Sequence, residues 1–370
     1  MLKSAKPIYE QIYETIKTAI AEGKYKEGER IPSEKELADS WNVSVITPRK
    51  SLEMLASEGL IFRQVGRGSF VKEPANNEMK VVPSSRNKPV IGVIMTDFDE
   101  SYGIGLLNGI EHAAEERAFI LLRRSFGSVD KEQAAIREFM ELGVDGLIIL
   151  PSRATFFNSE ILKLIVDQFP FVLVDRYLKG VAAAAVGTDN IGAAKKGTEY
   201  LFDLGHQTIT LLSPPPVSAT AVEDRIEGFI RAHVEKGLTK TPLMLTEVIS
   251  TLPDSFKEAN IAKDLKMIKD HLQKQKNITA FFAIEYNIAL LAKQAVEELG
   301  LSVPRDISIL CFDSPPFKPG AFTFTHLLQD QEKMGQLAVE QLLGLKNSVR
   351  SLQTTLLHTK LINGQSTRKI

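Results

Sequence analysis

Residues 29–52 read ERIPSEKELADSWNVSVITPRKSL, and this stretch decides how the N-terminal part of the chain folds. Ser33 and Glu36 stand three apart, the spacing of a capping box, and open a short helix that ends near Trp41-Asn42. Ser44 is expected to cap the next helix, whose apolar positions Leu52 and Leu55 continue the core and which Gly59 stops. Upstream, Ile8, Ile12, Ile16 and Ile20 recur every four residues, one stripe of an amphipathic helix ending at Gly23. Downstream, Leu60 to Gln64 and Ser69 to Lys72 read as two strands joined by Val65-Gly66-Arg67-Gly68, a turn whose glycines tolerate positive φ. Three helices followed by a hairpin predict a winged helix-turn-helix over residues 1–74.

The blocks Glu29 to Ala38, Val43 to Leu52, Glu58-Gly59-Leu60-Ile61 and Gly66 to Val71 resemble the GntR family of bacterial regulators in order and spacing. The resemblance implies that Arg30, Ser33, Lys35, Ser44, Thr47, Arg49 and Lys50 face DNA, with Gly66 and Arg67 at the tip of the wing. The chemistry agrees. The start of the third helix offers backbone N–H groups to phosphate, and Arg49 can meet a guanine edge with two hydrogen bonds. Two positions depart from the family: Val45 stands where arginine is usual, and Pro48 where valine is usual. The first removes a DNA contact. The second gives up one helical hydrogen bond in the first turn, where proline does least harm.

Charge does not announce a nucleic-acid partner. The 370 residues carry a net charge of -1, and residues 1–74 hold 12 Lys and Arg against 11 Asp and Glu, a net of +1. Binding must therefore come from where the cations fall. No run approaches the roughly 20 apolar residues of a membrane span, and the N-terminus lacks a signal-peptide pattern, so a cytoplasmic protein is expected. The single cysteine, Cys311, excludes an intrachain disulfide and sits in an apolar run as a packing residue.

Residues 75–88 are polar, contain a proline and show no period, and read as a linker. From residue 89 to 370 the texture is α/β. The runs at 90–95, 119–122, 146–150, 171–174, 208–212, 280–284 and 307–312 are nearly continuous in apolar residues, as strands are when helices cover both faces of a parallel sheet. Two lobes in series are expected, with ligand beyond the carboxyl ends of the strands.

Ile91-Gly92-Val93-Ile94, Leu107-Asn108-Gly109-Ile110, Val172 to Arg176, Val186 to Asn190, Leu204-Gly205-His206, Arg225 to Phe229 and Val303 to Asp313 resemble the effector domain of LacI/GalR-type regulators and the sugar-binding periplasmic proteins of the same fold. A GntR head on such a body is the arrangement of arabinose-repressor-like regulators. The resemblance implies that Asp175, Arg176, Arg225 and Asp313 line the cleft, with Tyr102 as a platform for a sugar ring. Carboxylates accept from paired hydroxyls and guanidinium groups donate in a fixed fork, which suits a polyol. Glu285-Tyr286 stands where sugar binders carry Asn-Asp, so this part of the pocket is re-cut. Asp189 and His206 are read as a helix cap and a turn contact. The lobes are expected to close about crossings near Thr188-Asp189 and Phe317 to Thr325.

Gly103-Ile104-Gly105-Leu106-Leu107-Asn108-Gly109 has the wrong spacing for a dinucleotide loop, and no Walker, zincin, Cys-x-x-Cys or nucleophile-elbow motif is present. An enzyme is not expected, nor a metal or cofactor. The expectation is a dimeric repressor that binds double-stranded operator DNA under the control of a sugar or sugar derivative. A ligand-binding protein whose head no longer reads DNA specifically is the alternative that Val45 leaves open.

Overall fold

The computed structural model describes residues 6–26, 28–58, 60–64, 68–71, 88–152, 158–178, 183–216, 219–238, 242–252, 255–316, 319–345 and 353–370. The chain divides into two compact units, Met1–Asn87 and Lys88–Ile370.

In the first unit, α1 (Ile8–Ala21), β1 (Arg30–Ile31), α2 (Glu34–Trp41), α3 (Ile46–Ser57), β2 (Ile61–Gln64) and β3 (Gly68–Val71) form three helices and a sheet of order β1-β3-β2. The capping box is complete: the Ser33 hydroxyl accepts from the Glu36 N–H, and the Glu36 carboxylate accepts from the Ser33 N–H at 2.7 Å. Ile12, Ile16, Ile31, Leu37, Leu52, Leu55, Ile61 and Val71 make one core. The expected cap on α3 is not formed. The helix starts at Ile46 with Val45 in the cap position and no side-chain cap. The Thr47 N–H, which a Ser44 hydroxyl would have taken, donates to the Ser44 carbonyl at 3.0 Å instead, and Pro48 has no N–H to use that carbonyl. The wing tip, with Gly66 and Arg67, lies outside the described residues, as does the expected linker apart from Lys88.

The second unit holds two six-stranded sheets. The elements of its first part are β4 (Val90–Met95), α4 (Ile104–Ala114), β5 (Phe119–Arg124), α5 (Val129–Glu141), β6 (Gly146–Ile149), α6 (Ser159–Val166), β7 (Phe171–Val174) and β8 (Ala184–Thr188). Then follow α7 (Asn190–Asp203), β9 (Ile209–Leu212), α8 (Thr220–Glu235), β10 (Leu243–Leu245), α9 (Glu258–Lys274), β11 (Ala280–Ala283), α10 (Tyr286–Glu298), β12 (Ser308–Phe312) and β13 (Thr325–Leu328). The chain finishes with α11 (Gln331–Leu345), β14 (Thr354–Leu357) and β15 (Lys360–Ile362). Lobe 1 is the sheet β14-β8-β7-β6-β4-β5, lobe 2 the sheet β10-β9-β11-β12-β13-β15. All pairings are parallel except that of β13 with β15. The runs that form β4, β6 and β7 are buried on both faces, with α4 and α11 on one side of lobe 1 and α5 and α6 on the other, whereas β5 at the sheet edge leaves Phe119 and Leu121 exposed.

The chain passes between lobes at Asp189, again at Gln329-Asp330, and a third time at His358-Thr359. The expected crossing at 317–325 is therefore corrected. That segment leads into β13, which pairs with β12 inside lobe 2, so the passage comes after β13 rather than before it.

Candidate functional site

The carboxyl ends of β4, β7, β11, β12 and β13 converge on one cleft. It is lined by Asp99, Ser101 and Tyr102 after β4, by Asp175 and Arg176 after β7, and by Val222 and Arg225 on α8. Ile284 to Asn287 after β11, Phe312-Asp313 and Gln329 complete the wall. Its free volume is about 170 Å³. At roughly 30 Å³ per water that is room for a handful of waters or one small molecule. Every residue expected at the effector site lies on this wall.

Local structure aims each group. Asp99 accepts from the backbone N–H of Ser101 at 2.6 Å and of Tyr102 at 3.1 Å, folding the loop after β4 into an Asx turn. Asp175 and Asp313 both turn out of their strands with left-handed backbone, φ 63° and 54°. Asp tolerates that region better than most residues, and strained backbone concentrates at ligand sites. Arg225 is fixed on three sides: Nε donates to Asn190 at 2.8 Å, a terminal nitrogen donates to the Ile284 carbonyl at 2.6 Å, and the guanidinium lies 3.8 Å from the Phe312 ring centre. Arg176 donates to the carbonyls of Pro151 and Ser152 at 3.0 and 3.2 Å.

Four carboxylates against two guanidiniums make the cleft acidic, and burial acts on them strongly. It pushes the Asp313 carboxyl up to about 6, although Gln329 hydrogen bonds and Arg225 oppose the shift. Burial also raises Glu285, against the pull of Thr251, Arg225 and Arg176. The Tyr102 phenol is raised far above its usual range by burial and by the charge of Asp175. Tyr102 Oη, Asp175 Oδ1, Arg176 Nε and Glu285 Oε1 are buried without a well-formed hydrogen bond. Such groups cost stability unless something polar meets them.

Sequence reasoning missed Asp99, Ser101, Phe312 and Gln329. Gln329 connects the cleft to the crossings, donating to Asp313 at 2.5 Å and accepting from Thr188 at 2.7 Å. The strand it follows, β13, has no continuous apolar run, so the strand-end rule had nothing to attach to. Asp189 caps α7 through the Gly192 N–H, and His206 bridges Thr279 and the Arg368 carbonyl.

On the first unit, Arg30, Lys35, Ser44, Arg49 and Lys50 are exposed, while Ser33 and Thr47 are half-buried. Several of the cations have partners within the unit. Arg49 Nε donates to Glu34 at 3.0 Å, Arg63 binds the other oxygen of the same carboxylate, Arg30 lies 3.4 Å from Glu36, and the Lys50 ammonium rests 3.7 Å from the Tyr9 ring centre. Glu34 thus holds two arginines at the edge of the helix-turn-helix.

Residues 8–71 match bacterial regulatory proteins of the gntR family, and residues 198–367 match the periplasmic binding protein-like domain. The chain joins a gntR-type head to a periplasmic-binding-protein-like body. Arabinose metabolism transcriptional repressors are among its relatives. The repressor of Geobacillus stearothermophilus is 28% identical over the whole of both chains, and that of Halalkalibacterium halodurans is 26% identical over 82% of this chain and 80% of its own. In fold, 76% of the chain matches the whole of a CcpA transcription regulator of Lactococcus lactis, at TM-score 0.65 and 20% identity. It also matches 99% of a LacI family regulator of Enterococcus faecium solved with bound ribose, at TM-score 0.62 and 23% identity. The chain is a DNA-binding transcription regulator. Among the described residues of the regulator, no helix is long and apolar enough to cross a membrane, and no cluster of side chains is arranged to hold a metal ion.

Proposed function

We propose that this regulator is a homodimeric repressor whose operator affinity is controlled by one uncharged monosaccharide held between the lobes. The observation that carries the reading is the small acidic cleft, in which Asp175 Oδ1, Glu285 Oε1 and Arg176 Nε are buried without a well-formed hydrogen bond. A sugar's hydroxyls both donate and accept, so one ring can satisfy Asp175, Arg176 and Glu285 together. A phosphate group is disfavoured, since four acidic side chains line the cleft against two arginines, of which Arg225 is already held by Asn190 and the Ile284 carbonyl. The arabinose repressors among the relatives support a pentose, and arabinose is the first sugar to try. Two heads on a two-fold axis would read a palindromic site, and such a protein works in the cytoplasm, where the chromosome is.

Two measurements test this. A thermal-shift screen of monosaccharides and sugar phosphates should give a rise with a neutral sugar and none with its phosphate, because a ligand that binds only the folded state raises apparent stability. Gel shifts on the gene's own upstream region should then weaken when that sugar is added. Unchanged operator affinity at saturating sugar sinks the proposed control, and no sequence-selective shift at all would favour a head that has lost its reading function.

A further inference from the structure

The outward face of α3 carries Ile46, Arg49, Lys50 and Glu53, while Pro48, Ser51, Leu52 and Leu55 turn into the core. This is the 3.6-residue alternation of a half-buried helix. Ile46 is nevertheless apolar and 73% exposed, and Val45, immediately before it at the helix start, is 41% exposed. Neither belongs to the core of the unit. They form an apolar edge one turn from Arg49, whose Nε is held by Glu34, leaving its terminal nitrogens as the pair that a guanine's two acceptors would meet.

We propose that Val45 and Ile46 read thymine methyl groups in the major groove, so that each operator half-site carries thymine beside the base met by Arg49. The inference rests on the DNA-reading role of the head. The opening residues of a recognition helix are those that reach base edges. An aliphatic side chain there can neither donate nor accept, and the one apolar feature of the major-groove floor is the thymine 5-methyl. An apolar edge beside a cation therefore specifies thymine next to guanine, where an arginine at position 45 would ask for a second guanine.

The test uses the full-length protein. Binding sites are first enriched from a pool of random duplexes, and thymines of the enriched site are then replaced singly by uracil, which removes the methyl and keeps every hydrogen-bonding group. Loss of a buried methyl is expected to weaken binding by about fourfold at one or two positions per half-site. In the Val45→Ala/Ile46→Ala double variant the same replacements should cost nothing, while the salt dependence set by phosphate contacts is unchanged. Both side chains are exposed, so the variant keeps the core intact, and a thermal melt confirms its folding. Enrichment of a site at which every uracil replacement is neutral, or a penalty that persists in the double variant, overturns the inference and leaves the DNA-reading role standing. Failure to enrich any sequence overturns both.

Discussion

Asp313 and Asp175 stand at the ends of equivalent central strands of the two lobes, both with left-handed backbone and both buried. Their burial has a pH consequence. The folded chain keeps the Asp313 proton up to pH about 6, whereas an unfolded chain releases it near 3.8. Folding stability from this group is therefore greatest in acid and declines as pH rises from about 4 to 6. A sugar hydroxyl donating to the carboxylate prefers the ionised form, so effector affinity should fall as pH drops below about 6. Calorimetric titration from pH 5 to 8 checks this, and Asp313→Asn should bind weakly and lose the part of the pH dependence that Asp313 supplies. Asp175, Arg176, Arg225 and Asp313 were legible through the resemblance to LacI/GalR-type effector domains, and the place of Asp175-Arg176 and Asp313 just after apolar runs agrees with it. Asp99 and Ser101 were not, since nothing in Asp97 to Gly103 distinguishes an Asx turn at a pocket from any polar loop.

At the scale of elements, α4 and α11 approach so closely that a Cβ at Gly109 would sit 2.0 Å from the Glu332 carbonyl, and one at Gly335 2.3 Å from the Leu106 carbonyl. The same device joins α7 and α8, where a Cβ at Gly228 would sit 2.2 Å from the Ile191 carbonyl. Gly109→Ala should force the pair apart at a cost of about 1–3 kcal/mol, visible as a lower denaturation midpoint. An unaltered midpoint would mean that the helices can separate freely. In the head, Ser33→Ala should destabilise α2 by about 1 kcal/mol through loss of the cap. That helix was readable because its signal is local. The strands β8, β10, β13, β14 and β15 were not read from apolar runs, since small or polar residues open or interrupt β8, β13, β14 and β15, and β10 has only three residues. The start of α3 was misjudged for a similar reason: the Pro48 effect depends on which carbonyl the backbone presents, and side-chain type does not reveal it.

At the scale of the molecule, cleft and crossings form one hydrogen-bonded network. Gln329 sits at the second crossing, holds Asp313, and receives the Thr188 hydroxyl from the first. Gln329→Ala should reduce effector affinity by about tenfold or more, the loss expected for hydrogen bonds to a charged group. It should also bring the ratio of operator affinities with and without effector toward one, whereas intact coupling of this kind spans about 5–150-fold. Gel shifts with saturating effector read that ratio directly. A full response in the variant would place the coupling elsewhere.

Three passages between lobes also mean that neither lobe is a continuous stretch of chain. Lobe 1 is founded by β4 to β8 but completed by α11 and β14, and lobe 2 is inserted between those two parts. The last residues return to lobe 2, where the buried Ser366 hydroxyl donates to the Ile309 carbonyl at 2.5 Å and accepts from the Thr325 N–H at 2.8 Å. On the ribosome, the first lobe must therefore wait, with one apolar face covered by α4 but not by α11, until nearly the whole polypeptide has been made. A premature stop anywhere before residue 345 would dissolve the earliest-made lobe together with the latest.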